Sequence, residues 1–321
     1  MSDKDNLKPD PVLKDFWSDN DRFADLFNQV FFQGEDVIAP GQLSDKDTEE
    51  SAVILEKERI NAVSRARDVI KQHMDGAELV LVALENQMKI HYAMPVRSML
   101  YDALRYTRQC KKLEREHRKD GDLKDPDEFL SGMAKYDRIQ PVINLVVYYG
   151  EKPWDGPSSL SDMMDIPPLF RPLFNDQKLN LLEVRNTGKL RFKNEDNQDF
   201  FTLIKEFYEN DGHIDINRLK ERFSGRDIDW ETMAAIGAAT GSAKLVDYAL
   251  EHKGGRLNMC TALENLVQEG KQEGIQEGIQ EGMLKGMVVV YREMNISDDA
   301  IIQKLQEKSD LSYEELKKFL D

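Results

Sequence analysis

Residues 64–87 read SRARDVIKQHMDGAELVLVALENQ. Six consecutive apolar residues, Leu79 to Leu84, stand between Glu78 and Glu85, the pattern of a short strand buried on both faces. The dipeptide Asp75-Gly76 just upstream favours a tight turn between two antiparallel strands. Before it, the charges of Ser64–Met74 suit either a strand or a helix. If Ser64–Met74 and Glu78–Gln87 form a hairpin, Asp68 is brought across from Glu85. Side chains at i and i+2 share one face of a strand, so Glu85, Gln87 and Lys89 point the same way in a D-x16-E-x-Q spacing. Oxygens from two neighbouring strands suit Mg²⁺, which takes a few carboxylates and keeps several waters. Such an ion can polarise a phosphodiester and lower the pKa of an attacking water.

Working outward, Asp21–Phe32 carries Phe23, Leu26, Phe27, Val30 and Phe31 at helical spacing and reads as an amphipathic helix. Residues 1–15 are polar and read as a frayed end. Gly34 and Pro40-Gly41 mark a helix stop and a turn, and Val53–Leu55 is a candidate short strand. Downstream, Met94 to about Lys119 is helical with Pro95 in the first turn. Arg138–Tyr149 is β-branched and ends at Gly150, a second buried strand. After the proline-rich stretch 153–172 the chain reads mainly as helices to Asn265. Helix, two or three strands, helix, strand makes an α/β (α+β) core, a sheet flanked by helices.

Glycines 270, 274, 278, 282 and 286 then recur every four residues. A period of four advances about 40° per repeat around a helix, and five interior glycines cost on the order of 5 kcal/mol relative to alanine. The segment is either a helix packed closely on another, from this or a second subunit, or a flexible tether. Two short helices follow, the second with a capping box at Ser312 and Glu315. The expected domains are 1–165, a helical region 166–265, and a glycine-repeat tail with its helix pair, 266–321.

The 321 residues are 40% apolar, with 14 Phe, 10 Tyr and 3 Trp, enough to exclude a disordered chain. No apolar run reaches the ~18 residues a spanning helix needs. The charged start, Met1–Lys8, has no apolar stretch, and the two cysteines, Cys110 and Cys260, build no disulfide framework. A cytoplasmic protein without membrane contact is expected. The net charge of −16 argues against indiscriminate coating of nucleic acid and asks for a local basic patch.

Several familiar signals fail. The five histidines show no HExxH or zinc-like spacing, and Gly237–Lys244 (GAATGSAK) lacks the GK[ST] ending of a phosphate loop and reads as a helix-packing segment. A basic patch does occur. Arg105, Arg108, Lys112, Arg115 and Lys119 share one helix face, spanning about 21 Å, and residues 105–124 hold eight Lys or Arg against four Asp or Glu. Tyr101 and Arg97 lie one and two turns earlier. This stripe is the expected contact for DNA phosphates.

RFADLFNQVFF (22–32), RARDVIK (65–71), LVALENQ (81–87), MPVRSMLYDALRY (94–106) and PVINLVVYYGEKPW (141–154) together resemble the PD-(D/E)XK nuclease superfamily. More narrowly they resemble its recombination-promoting nuclease and putative-transposase branch, over residues 16–165, with a similar glycine-repeat tail. The resemblance implies an α-β-β-β-α-β core with a mixed sheet, metal-binding acids at Asp68 and Glu85, and an ExK motif falling on Glu85-Asn86-Gln87. It further implies a supporting acid on the first helix, for which Asp25 is the candidate. Gln87 stands where the superfamily has lysine. It can hydrogen-bond water or a phosphate oxygen but brings no charge.

The resulting expectation is a Mg²⁺- or Mn²⁺-dependent DNA endonuclease linked to recombination or transposition. Asp68 and Glu85 hold the ion, Gln87 orients water, and the C-terminal region joins copies into a homo-oligomer. The alternatives are a catalytically degenerate DNA-binding or assembly protein on a nuclease fold, and an interaction protein driven by its tail.

Overall fold

The computed structural model describes residues 9–46, 69–83, 90–209, 221, 226–294, 296–306 and 313–320. The chain divides into two compact units, Met1–Met259 and Cys260–Asp321.

The first unit opens with helices α1 (Pro9–Ser18) and α2 (Asn20–Phe31). The frayed end expected over residues 1–15 is corrected from Pro9 onward: Leu13, Phe16 and Trp17 of α1 are among the most deeply buried side chains. Trp17 Nε1 donates to the Tyr149 hydroxyl at 2.8 Å, so the one polar atom of this indole is satisfied inside the core. Asp19 caps α2 by accepting from Arg22 N at 2.9 Å. Phe23, Leu26 and Phe27 are buried as the periodicity requires, but so are Arg22, Asp25, Asn28 and Gln29. The helix is enclosed on more than its apolar face.

Five strands form one sheet in the order β1 (Leu43–Asp45), β2 (Val69–His73), β3 (Glu78–Ala83), β4 (Val142–Tyr148) and β5 (Leu181–Glu183). The β2–β3 hairpin is antiparallel, with Val69 opposite Leu81 and Gln72 opposite Glu78. Its turn uses Gly76 at φ 93°, where a side chain would be strained and would meet Gln140 at 2.6 Å. β1 adds antiparallel to β2, and the buried Lys71 ammonium is satisfied by Ser18 O and the Asp45 carboxylate. β4 is parallel to β3 because the chain returns through helix α3 (Met94–Asp120), which ends on Gly121 in the left-handed conformation. A short helix, α4 (Pro126–Ser131), lies between α3 and β4.

The helical region expected over 166–265 is corrected in part. β5 lies inside it and pairs parallel with β4, so the sheet continues past residue 165. Helix α5 (Glu195–Glu209) follows, then a two-stranded antiparallel ribbon, β6 (Asp227–Asp229) with β7 (Arg256–Asn258), enclosing α6 (Trp230–Thr240) and α7 (Ala243–Glu251). Within GAATGSAK, Gly237 packs against α7: a Cβ there would stand 2.9 Å from Val246 N. The sheet is thus a mixed one flanked by helices.

The second unit holds nearly all of the 35-residue helix α8 (Met259–Glu293), with α9 (Asp298–Gln306) and α10 (Tyr313–Lys317). Leu284 and Val288 bury against Ile301, Ile302, Leu305 and Leu316. The glycine repeat is continuous helix. Among the described residues no helix is long and apolar enough to cross a membrane.

Candidate functional site

Asp68, Glu85 and Gln87, with Lys89 and the candidate strand Val53–Leu55, lie outside the described residues. Their neighbours are fixed. Asp68 directly precedes Val69, which opens β2, and Glu85 follows by two positions Ala83, which closes β3. Because β2 and β3 are antiparallel, the first residue of one and the last residues of the other occupy the same end of the sheet. Ala83 pairs with Val147, and Tyr148 with Glu183, so the carboxyl ends of β4 and β5 lie there too. In open α/β sheets ligands bind outside these strand ends.

The described groups at this end are largely polar. Glu183 Oε2 accepts from Trp154 N at 2.9 Å, and the Trp154 ring stands edge-on to Tyr148 at 5.2 Å. Burial raises the Tyr148 phenol, and the nearby Glu183 carboxylate adds to the rise. Trp154 Nε1 is buried without a hydrogen-bond partner among the described residues. Tyr92 donates to Asp155 at 3.3 Å, and Arg185 donates to Glu151 O at 2.6 Å. Behind them, the Tyr149 hydroxyl accepts from Trp17 Nε1, its carbonyl accepts from the Tyr208 hydroxyl, and burial raises both phenols. No group of three or more His, Cys, Asp or Glu among the described residues could hold a metal ion.

Asp25 is engaged by the protein itself. Its Oδ1 accepts from Lys193 N at 3.0 Å and its Oδ2 from Asn197 Nδ2 at 2.9 Å, in a 9% exposed position. Protein donors engage both oxygens, and the carboxylate anchors the start of α5. These contacts give Asp25 a structural role, while Asp68 and Glu85, beside which it is expected to support an ion, lie outside the described residues.

The basic stripe is corrected in two ways. First, Arg105 is buried, with Nε 3.4 Å from Glu78 Oε2, and presents no charge to a phosphate. Second, α3 runs antiparallel to β4. Met94 packs with Val146 and Tyr148, Asp102 accepts from Asn144, Tyr106 Oη accepts from Val142 N, and Gln109 brackets Gln140. Arg108 therefore lies level with the amino end of β4, and Lys112, Arg115 and Lys119 follow beyond it. This is the opposite end of the sheet from the strand ends that flank Asp68 and Glu85. Arg97 alone of the expected DNA contacts lies toward the carboxyl end; its Nε donates to Tyr101 Oη at 3.0 Å, with the guanidinium 5.6 Å from that ring.

Two features had no place in the sequence reading. Asp102, in the middle of α3, accepts from Asn144 and, at 2.7 Å, from Gln177; burial raises its pKa against the opposing effect of both hydrogen bonds. The polar link ties α3 to β4 and to the segment leading into β5. The other is VRNTGKLRFK (184–193), which follows β5 immediately and carries Arg185, Lys189, Arg191 and Lys193 without an acid. Its composition was a legible signal.

Comparison with family models, with curated proteins and with solved structures finds no match to this chain.

Proposed function

We propose that this chain is a divalent-metal-dependent DNA endonuclease of the PD-(D/E)XK type, acting in the cytoplasm in recombination or transposition. The observation that carries the reading is one of order and direction. The described chain runs α1, α2, β1, β2, β3, α3, α4, β4, with an antiparallel hairpin followed by a parallel return. That arrangement brings Val69, which opens β2, and Ala83, which closes β3, to one end of the sheet; in the sequence Asp68 precedes the first and Glu85-Asn86-Gln87 follows the second within four positions.

The donor chemistry fits the ion. Carboxylate and carboxamide oxygens suit a hard cation such as Mg²⁺ or Mn²⁺. When bound, the ion supplies charge to the phosphodiester and to the attacking water. Asp68 and Glu85 hold it, and Gln87 orients water by hydrogen bonding without contributing charge. The C-terminal unit joins copies of the chain.

Plasmid nicking by the wild type against Asp68→Ala and Glu85→Gln, each with and without Mg²⁺, tests the proposal. Metal-dependent nicking lost in both variants sustains it; nicking that persists in both removes it. A second reading, a catalytically degenerate DNA-binding protein on the same framework, is favoured by the uncharged Gln87. It is left standing if the wild type binds duplex DNA but never nicks it.

A further inference from the structure

The exposed cations of α3 lie at the wrong end of the sheet to serve strand ends flanking Asp68 and Glu85. Another basic element occupies the right one. β5 ends at Glu183, beside Tyr148 of β4, and passes directly into the 3-10 segment Val184–Lys189. From there to Lys193 the chain has four cations and no acid, in a protein of net charge −16.

This segment and α5 enclose an open cleft of about 470 Å³. Its floor is aromatic: Phe192 and Phe201 stack at 4.4 Å with a 10° interplanar angle and are almost fully buried. Two cations stand on its walls. The exposed Arg191 is held by its own turn, with Nη1 donating to Gly188 O and Leu190 O, both at 2.9 Å. Carbonyl oxygens position that guanidinium without neutralising it, which leaves its outward donors for a ligand. Across the cleft, the Lys205 ammonium lies so close to Gly188 that a Cβ there would approach Nζ to 2.7 Å. Its ion pair with Glu209, at 3.3 Å, is partly exposed and weak enough to exchange. Lys189 is exposed and has no ion pair among the described residues. Thr187 and Thr202 complete a polar lining.

We infer that this cleft, through Arg191 and Lys205 and together with Lys189 of the adjoining 3-10 segment, grips the phosphate backbone of duplex DNA at the carboxyl end of the sheet. The inference rests on the DNA reading above but assigns the contact to a different element from the α3 stripe. A planar guanidinium with outward donors and an ammonium on the walls of one cleft, with a second ammonium on the adjoining segment, match successive phosphate oxygens better than a single carboxylate.

The test measures binding of the full chain to a short DNA duplex by fluorescence anisotropy across a range of salt, with EDTA to stop cleavage. Neutralising Lys189, Arg191 and Lys205 together as glutamines should lower the slope of log affinity against log salt by about 2.7, at 0.9 per lost phosphate contact. Lys112→Gln with Arg115→Gln should leave it unchanged. The charge-preserving pair Arg191→Lys and Lys205→Arg keeps most of the slope if charge is the cause, and circular dichroism confirms folding of each variant. An unchanged slope in the triple variant, or a slope lost instead in the α3 pair, overturns the inference. A wild type that nicks plasmid but keeps its slope in the triple variant removes this inference alone. Dependence on the cleft without any nicking keeps the inference and removes the nuclease reading. Absence of duplex binding overturns both.

Discussion

Arg105 of α3 and Glu78 of β3 form an ion pair, Nε to Oε2 at 3.4 Å, with both side chains nearly enclosed. The pair sits where β3 begins, opposite Val142, and fastens the long helix to the amino end of the sheet. Removing one partner of a buried pair strands the other charge without solvent. Arg105→Met should cost about 3 kcal/mol of unfolding free energy, read from urea denaturation. Arg105→Met with Glu78→Leu should recover most of that loss. The salt dependence of DNA binding should not respond to Arg105→Met, and a response would return this residue to the DNA-contacting set.

His117 closes the far end of α3. Its Nδ1 lies 2.7 Å from Asp122 Oδ1 and its Nε2 2.8 Å from Asp137 Oδ2, while Ala134 N also donates to Asp137. The hydrogen bond to Asp122, then that to Asp137, raises the imidazole pKa. Burial is the largest single influence on Asp137 and acts to raise it, but the hydrogen bonds from His117 and Ala134 and the charges of His117 and Arg138 together leave the carboxyl lowered. The histidine's contribution to stability is whole below the unfolded value of about 6.5 and is lost as pH rises through the higher folded value. The aspartate's is present above about 3.9 and is lost as pH falls through its lowered folded value. His117→Gln should therefore depress the thermal midpoint more near pH 5.5 than near pH 9, roughly the two sides of that window. An equal depression at both would mean that the imidazole is not charged in the fold.

Asp25 gives a prediction that separates architecture from chemistry. Its carboxylate receives Lys193 N and Asn197 Nδ2, tying α2 to the start of α5 across more than 160 positions of sequence. Asp25→Ala leaves those buried donors unpaired and should cost about 1–3 kcal/mol, measured by denaturant unfolding. The Mg²⁺ concentration that half-saturates nicking should stay at its wild-type value in the folded fraction. A shifted half-saturation would restore Asp25 to the metal site.

How far these features could be read from the chain depends on the length scale of each signal. Asp75-Gly76 between charged and apolar runs announces the β2–β3 hairpin, and Pro95 and Gly121 bracket α3, because turn and cap chemistry is local. Leu181-Leu182-Glu183 is too short to show a period and is a strand only because β4 offers it a ladder. Helical spacing correctly put Arg105 and Lys112 on one face, yet it cannot tell which part of that face a sheet covers or toward which strand end the helix points. Those facts come from the contacts of Met94, Tyr106 and Gln109 with β4. Asp68 and Glu85 are singled out by spacing alone and lie outside the described residues, whereas the cations of 185–193 were visible in composition and lacked only a place in the fold.

The glycine repeat poses a packing question within its own unit. Ile275, Ile279 and Met283, one repeat apart along α8, are 62%, 59% and 57% exposed. A Cβ added at Gly278, Gly282 or Gly286 would meet nothing within 4 Å. An isolated helix with glycine at every fourth position is poorly stable by propensity alone. If the exposed stripe packs on a second copy of the chain, the glycines are what lets two backbones approach. Gly278→Ala with Gly282→Ala should then raise helicity, by about 1 kcal/mol of propensity per site, while weakening self-association. Ile275→Gln with Ile279→Gln should weaken it as well. Light scattering of the full chain checks both. Alanine variants that gain helicity and keep the wild-type assembly would show that backbone approach is not needed, and a wild type that is monomeric with and without residues 262–321 would remove self-association through this tail.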